Sequence, residues 1–228
     1  MIYITGDIHG TLDIGKVVQF FSDPNVSEGL TKDDYLILLG DTAICWDDGK
    51  TDGEVKRILR SLPVTTLFID GNHDNHPLIA EYPVIEWKGG HVHEIEPDIL
   101  HLMRGEVFTI EDKTFFAFGG AYSIDCLRRI EGVSWWPEEM PSAEEYQRGR
   151  NNLRKCDYAV DVILTHTAPS FVLDELGLEF MEGEEELQNY LQEVADEVDY
   201  GAWYCGHFHI DTLVDDRFQV LMQDVVCL

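Results

Sequence analysis

Short apolar runs that stop at glycine-and-acid breaks dominate the first 75 residues. Ile2–Thr5 ends at Gly6-Asp7-Ile8-His9-Gly10, Tyr35–Leu39 at Gly40-Asp41, and Val64–Ile69 at Asp70-Gly71-Asn72-His73-Asp74. Helical patterns over Leu12–Phe21 and Gly53–Ser61 lie between them. An apolar run of strand length bounded by turn residues reads as a strand buried on both faces. Strand, loop with acid or histidine, then helix is the βαβ rhythm of a parallel sheet. Such sheets gather ligands at the carboxyl ends of their strands.

The rhythm then changes. Val84–Trp87, His91–Ile95, Val107–Ile110 and Thr114–Phe118 are short strands with turn signals at Gly89-Gly90 and Glu111-Asp112-Lys113, predicting antiparallel hairpins. Ser142 and Glu145 form a capping box that opens a helix to about Cys156. Val160–Leu164 is a strand ending at Thr165-His166, and Ala202–Cys205 one ending at Gly206-His207-Phe208-His209. Glu184–Val198 reads as an acidic helix. The tail, Thr212–Cys227, alternates like a hairpin with Asp215-Asp216 as its turn. Mixed sheets with helices outside are expected, and the length suits one domain over 1–228.

Composition bounds the function. The chain is 44% apolar and 11% aromatic, enough for a packed core rather than disorder. No stretch approaches the ~20 apolar residues of a membrane-spanning helix. With 16 Lys+Arg against 44 Asp+Glu, the net charge is −28, which argues against long nucleic acids as partners. Cys45, Cys126, Cys156, Cys205 and Cys227 are dispersed without a CxxC pair, and no secretory pattern precedes Met1. Both point to a reducing cytoplasm, with the thiols as small buried apolar groups. Eleven carboxylates fall between Asp174 and Asp199. They read as a solvated face, since Leu187, Leu191, Val194 and Val198 give the helix a core stripe. The alternative is a docking surface for a basic partner.

Five strand ends carry metal-ligand types: Asp7-Ile8-His9, Asp41, Asn72-His73-Asp74, His166 and His207-Phe208-His209. Asp, Asn and His suit Mn, Fe, Zn, Ni or Co rather than a thiolate site. In extended chain, residues i and i+2 point the same way, so Asp7/His9 and His207/His209 can each reach one site. Each motif alone has an ordinary structural reading as a turn residue, cap or buried imidazole. All five in order, each after an apolar strand, point to one metal centre.

The order GDIHG, GD, GNHD, H, GHxH resembles the calcineurin-like metallophosphoesterase superfamily. The segments from Asp47 to Glu54, Leu67–Asn75, His101–Gly105, Gly119-Gly120-Ala121 and Ser134–Pro137 are similar to a bacterial and phage-type branch, over nearly the whole chain. The resemblance implies a four-layer αββα sandwich of two mixed sheets flanked by helices. It implies that Asp7, His9 and His209 hold one divalent metal ion, that Asn72, His166 and His207 hold a second, and that Asp41 bridges them. His73 would be the catalytic histidine, oriented by Asp74. Two features depart from relatives. The D-R-G signature of Ser/Thr protein phosphatases is missing after Asp41. Ala43 and Cys126 stand near positions that hold glycine and lysine in related sequences.

The expected activity is hydrolysis of phosphate monoesters by in-line attack of a metal-bridging hydroxide, with Mn as the first choice of metal. His73 would assist the leaving group. The substrate would be a phosphoprotein or a small phosphorylated metabolite. A phosphodiesterase acting on cyclic nucleotides or short nucleic acid ends is the alternative. A non-catalytic scaffold is disfavoured by the complete ligand set. Arg104, Arg128 and Arg129 are candidate phosphate contacts, each with a surface ion pair as the competing reading. Trp135-Trp136 is either a lid or a plug under a loop, and Trp46 and Asp47 are candidate pocket residues. His76, His91, His93 and His101 read as structural or surface residues. The acidity does not exclude a phosphate substrate, because bound cations dominate their local field.

Overall fold

A computed structural model gives the fold and describes residues 1–47, 49–178 and 182–228. Strands β1 (Ile2–Thr5), β2 (Tyr35–Leu39) and β3 (Thr65–Ile69) are buried at every position. They pair in parallel, with Ile37 between Ile4 and Leu67. Strands β4 (Val84–Trp87), β5 (Gly90–Glu96) and β6 (Ile99–Leu102) extend the sheet, β6 running parallel to β3.

The second sheet holds β7 (Glu106–Ile110), β8 (Lys113–Phe118), β9 (Ala159–Thr165) and β10 (Asp199–Cys205). The tail supplies β11 (Thr212–Leu213), β12 (Phe218–Val220) and β13 (Val225–Cys227). Among the described residues the strand orders are β13-β1-β2-β3-β6-β5-β4 and β11-β12-β10-β9-β8-β7.

The period of two in a strand sorts the side chains into layers. Ile4, Ile37 and Leu67 face the second sheet and pack with Phe108, Phe115, Val162 and Leu164. Tyr3, Leu36, Leu38 and Phe68 face the other way, among side chains of α1 (Gly15–Ser22), α3 (Lys50–Ser61) and α4 (His76–Ala80). A four-residue helix, α2 (Pro24–Ser27), follows α1. On the far side, Phe116, Phe118 and Trp203 pack with residues of α5 (Ala143–Lys155), α6 (Ser170–Leu176) and α7 (Glu185–Glu197). The result is the expected αββα sandwich.

Four local features differ from the sequence reading. Helix α1 starts at Gly15, not Leu12, because His9 and Gly10 have positive φ (42° and 59°) and the chain must first turn. Strand β6 was hidden by His101, a polar residue that is buried nonetheless. The tail is a hairpin only as far as β11 and β12. Asp211 accepts from the amides of Met222, Gln223 and Asp224 and turns the chain away, so β13 joins the first sheet beside β1. The acidic stretch crosses Glu179–Met181, which lie outside the described residues, as does Asp48. Helix α7 buries Leu187, Leu191 and Val194 as the stripe predicts. Glu184 departs from the solvated reading: it is 2% exposed and accepts from the Tyr122 amide and Gln188. No described helix is long and apolar enough to cross a membrane.

Candidate metal centre

The loops after β1, β2, β3, β9 and β10 converge at one end of the two sheets. Ligand atoms of Asp7, His9, Asp41 and His209 lie within 4.8 Å of one another. Asn72, His166 and His207 lie on the other side of Asp41. His166 Nε2 is 3.2 Å from Asn72 Oδ1 and 3.3 Å from Asp41 Oδ1, and the His166 and His207 rings are 5.0 Å apart. The Asp41 carboxylate thus faces both groups, with Oδ1 toward His166 and Oδ2 3.7 Å from His9 Nε2.

Simple strand alternation does not bring these residues together. His9, Asp41, His207 and His209 all have positive φ, between 42° and 66°. Such conformations are uncommon for residues other than glycine and cluster where function demands them. They send His207 toward His166 and His209 toward His9, whose rings are 5.0 Å apart. Ala43 also has positive φ (48°). Gly71 is required by close approach: a Cβ there would strike Asp41 and His166.

The residues fit a divalent cation. Asp7 and Asp41 are almost fully buried, and Asp7 Oδ2 accepts no hydrogen bond, with His209 Nε2 at 3.3 Å. A buried carboxylate oxygen without a donor calls for positive charge. The imidazoles respond to that demand. A hydrogen bond to Asp41 pushes His9 up to about 9 against the effect of burial. Burial opposes charge on His166, yet Asp41 and Asp7 push it up to about 10. His207, buried and beside His166, is pushed down to about 4. In His9 and His166 the second ring nitrogen is anchored: Asp13 bonds His9 Nδ1 at 2.9 Å, and His166 Nδ1 donates to the Leu39 carbonyl at 2.6 Å. That leaves each Nε2 facing Asp41.

His9 and His166 therefore hold protons at pH 7 that a cation must displace. Titration of Mn²⁺ in buffers of different ionisation enthalpy is expected to show release of roughly one to two protons, and affinity that rises with pH. Binding without proton release would rule these imidazoles out as ligands.

Asn72 is oriented by a buried hydrogen-bonded chain for which no motif or spacing provides a signal. Glu139, 1% exposed, accepts from Ser123 Oγ at 2.6 Å and from the Ser123 amide at 2.8 Å. With its proton committed, Ser123 Oγ accepts from Asn72 Nδ2 at 3.2 Å. The amide is thereby fixed with Oδ1 toward His166. Ser123→Ala is expected to weaken metal affinity by about 10–100-fold on the Asn72 side, read by equilibrium dialysis with Mn²⁺. Unchanged affinity would show that Asn72 needs no such anchor.

A cleft of about 340 Å³ opens over these groups, lined by Asp41, Asn72, His73, Tyr122, Ile124, Asp125, Arg129, His207 and His209. His73 projects into it, its amide bonded to Asp41 at 2.7 Å. Burial lowers the pKa of its ring, Asp41 opposes this and Arg129 reinforces it. Asp74 does not orient that ring. Its oxygens accept from Gly71 N, Thr42 N, Thr42 Oγ1 and Ala43 N, so it locks the Asp41 loop to the Asn72 loop. The group against His73 is Arg129, with Nη1 and Nη2 at 2.8 and 3.2 Å from the ring nitrogens and Nε held by Asp125 at 2.7 Å.

Of the three candidate arginines only Arg129 lines the cleft. Arg128 is exposed at the end of a single 3₁₀ turn (Cys126–Arg128). Arg104 is 4% exposed and donates to Asp70 and to the carbonyls of Glu138 and Glu139, facing away from the cleft. Asp70 also bonds His101, which bonds His93, so two histidines read as structural are indeed buried supports. His91 is half exposed beside Glu106. Trp136 is 5% exposed and packs edge-on against Trp46, which makes it a plug. Trp46 and Asp47 are absent from the cleft wall. All five cysteines are free thiols, Cys45 and Cys205 buried and Cys227 exposed.

No curated protein matches the chain. The family model for calcineurin-like phosphoesterases matches residues 1–211, a span that includes all five loops of the candidate site. The chain belongs to the calcineurin-like phosphoesterases, a family of metal-dependent phosphoric ester hydrolases.

Proposed function

We propose that the protein is a phosphomonoesterase working with two divalent ions, Mn²⁺ first among the candidates, on a phosphoprotein or a small phosphorylated metabolite. The observation that carries this reading is the placement of Asp41, whose two oxygens face two separate ligand groups. Asp7, His9 and His209 would hold one ion and Asn72, His166 and His207 the other, with Asp41 shared. Bound there, the ions would acidify water and neutralise phosphoryl oxygens. The chain's own residues do the rest. Arg129 supplies a fixed positive charge for a phosphate oxygen, braced by Asp125. His73, kept neutral by burial and that guanidinium, would hydrogen-bond the departing oxygen once a phosphate draws Arg129 off its ring nitrogens. Asp74 keeps the two loops in register. The dispersed free thiols favour a cytoplasmic setting.

Turnover of p-nitrophenyl phosphate by Mn²⁺-loaded protein is expected to exceed turnover of the bis-ester. His73→Ala should lower the monoester rate by about 10²–10⁴-fold with metal content intact. A preference for the diester would put the phosphodiesterase reading first. Metal-loaded protein that turns over neither ester would overturn both.

A further inference from the structure

The loop from Gly119 to Trp136 does more than wall the cleft. Ile124, Leu127, Ile130 and Val133 on it are 74%, 98%, 65% and 62% exposed. Single exposed apolar side chains are ordinary, but four within ten residues mark a contact surface. The loop is held in shape by its own bonds. Cys126 N reaches Ser123 O, Arg128 N reaches Asp125 O, and Ser134 N and Val133 N reach Ile130 O. Ser134 Oγ accepts from Ile130 N, and Arg129 is clamped by Asp125. These side chains are therefore presented on fixed turns, and burial within the chain explains none of them.

We propose that this loop docks the polypeptide around a phosphorylated residue, selecting apolar side chains next to the phosphate on a neutral or basic protein segment. The inference rests on the phosphomonoesterase reading and narrows its substrate class. Three observations choose the occupant. Tyr122, Ile124, Asp125 and Arg129 of the same loop line the cleft, so the surface continues from the phosphate position outward. Leu127, Ile130 and Val133 do not line it, so a metabolite filling the cleft would leave them wet. Charge decides the remainder. Asp125 and Glu131 balance Arg128 and Arg129, making the loop a neutral strip on a chain of net charge −28. A second copy, an anionic membrane and a nucleic acid are all repelled by that charge, whereas a basic or neutral peptide is not.

The test uses the Mn²⁺-loaded full chain, two phosphopeptides and p-nitrophenyl phosphate. The peptides share one phosphorylated residue and a net positive charge, and differ in carrying Leu and Ile or Ser and Gly beside it. The apolar peptide is expected to have a kcat/KM at least about tenfold above the polar one. The double variant Leu127→Ser/Ile130→Ser should erase that ratio and leave p-nitrophenyl phosphate turnover within about twofold. Equal values for the two peptides, or a ratio the variant does not change, would overturn the docking inference. Fluorescence anisotropy of the labelled apolar peptide separates docking from chemistry. Binding weakened at least tenfold by the double variant supports docking even if no ester is hydrolysed, and only the phosphatase reading then fails. A concentration-dependent dimer, or sedimentation with anionic vesicles, that the double variant abolishes would assign the surface to a different partner and overturn the proposal.

Discussion

Asp41→Asn is expected to lower turnover of p-nitrophenyl phosphate by on the order of 10³-fold, with the fold retained. The substitution keeps the size and shape of the side chain and changes only its charge and donor pattern. A carboxylate offers acceptors on both sides, while an amide offers one oxygen and one NH₂. Whichever way the amide turns, it points a donor at His9 or at His166 and removes an acceptor from that ligand group. If the shared carboxylate contributes about 4 kcal/mol to holding the reactive charge, the rate falls about 10³-fold. Metal content should fall with it, read by elemental analysis after gel filtration. Circular dichroism provides the folding control. A variant that keeps full activity and full metal content would remove Asp41 from the centre of the site.

Arg104→Ala is expected to cost about 3–5 kcal/mol of stability, read as a lower urea midpoint. The guanidinium is 4% exposed and Asp70 is 2% exposed. Burial opposes the charge on Asp70, and Arg104 and His101 hold its pKa well below the usual carboxylate range. Removing the arginine leaves a buried carboxylate whose remaining side-chain partners are His101 and His76. Gly119 packs closely over the same carboxylate, since a Cβ there would meet Asp70 at 2.5 Å. Below the unfolding transition, KM for a small ester should change little. The opposite result, normal stability with a raised KM, would restore Arg104 as a phosphate contact.

These two residues show where sequence reasoning succeeds and where it stops. The place of Asp41 in the Asp/His cluster was legible because metal-ligand chemistry dictates residue types, and strand ends dictate where they fall. The apolar runs made β1, β2 and β3 visible for the same reason: burial on both faces leaves no polar positions. Arg104 was not separable from Arg129, because both are arginines near the site in sequence and only packing decides which one turns inward. Asp74 beside His73 suggested a hydrogen-bonded pair, but adjacent side chains need not share a direction. The Glu139–Ser123–Asn72 chain was invisible, since its members sit 16 and 51 residues apart and carry no spacing signal. Strand β6 was masked by a histidine whose burial depends on Asp70, a residue from another strand end. Local chemistry is written in the chain, whereas partnership between distant polar groups is written in the packing.

The path of the tail bears on how the molecule assembles. Tyr3 pairs with Cys227, Thr5 Oγ1 bonds the Asp224 carbonyl, and Lys16 Nζ bonds the carbonyls of Gly6, Asp7 and Met222. Strand β1 is thus flanked by β13, about 220 residues further along the chain. Closing a loop of that length delays the pairing, since loop entropy must be overcome before the contact is rewarded. The same lysine that ties the tail also fixes the backbone of Asp7. The tail is thereby tied to the Asp7 end of the candidate site, so loosening β13 from β1 would slacken the backbone that presents the Asp7 carboxylate.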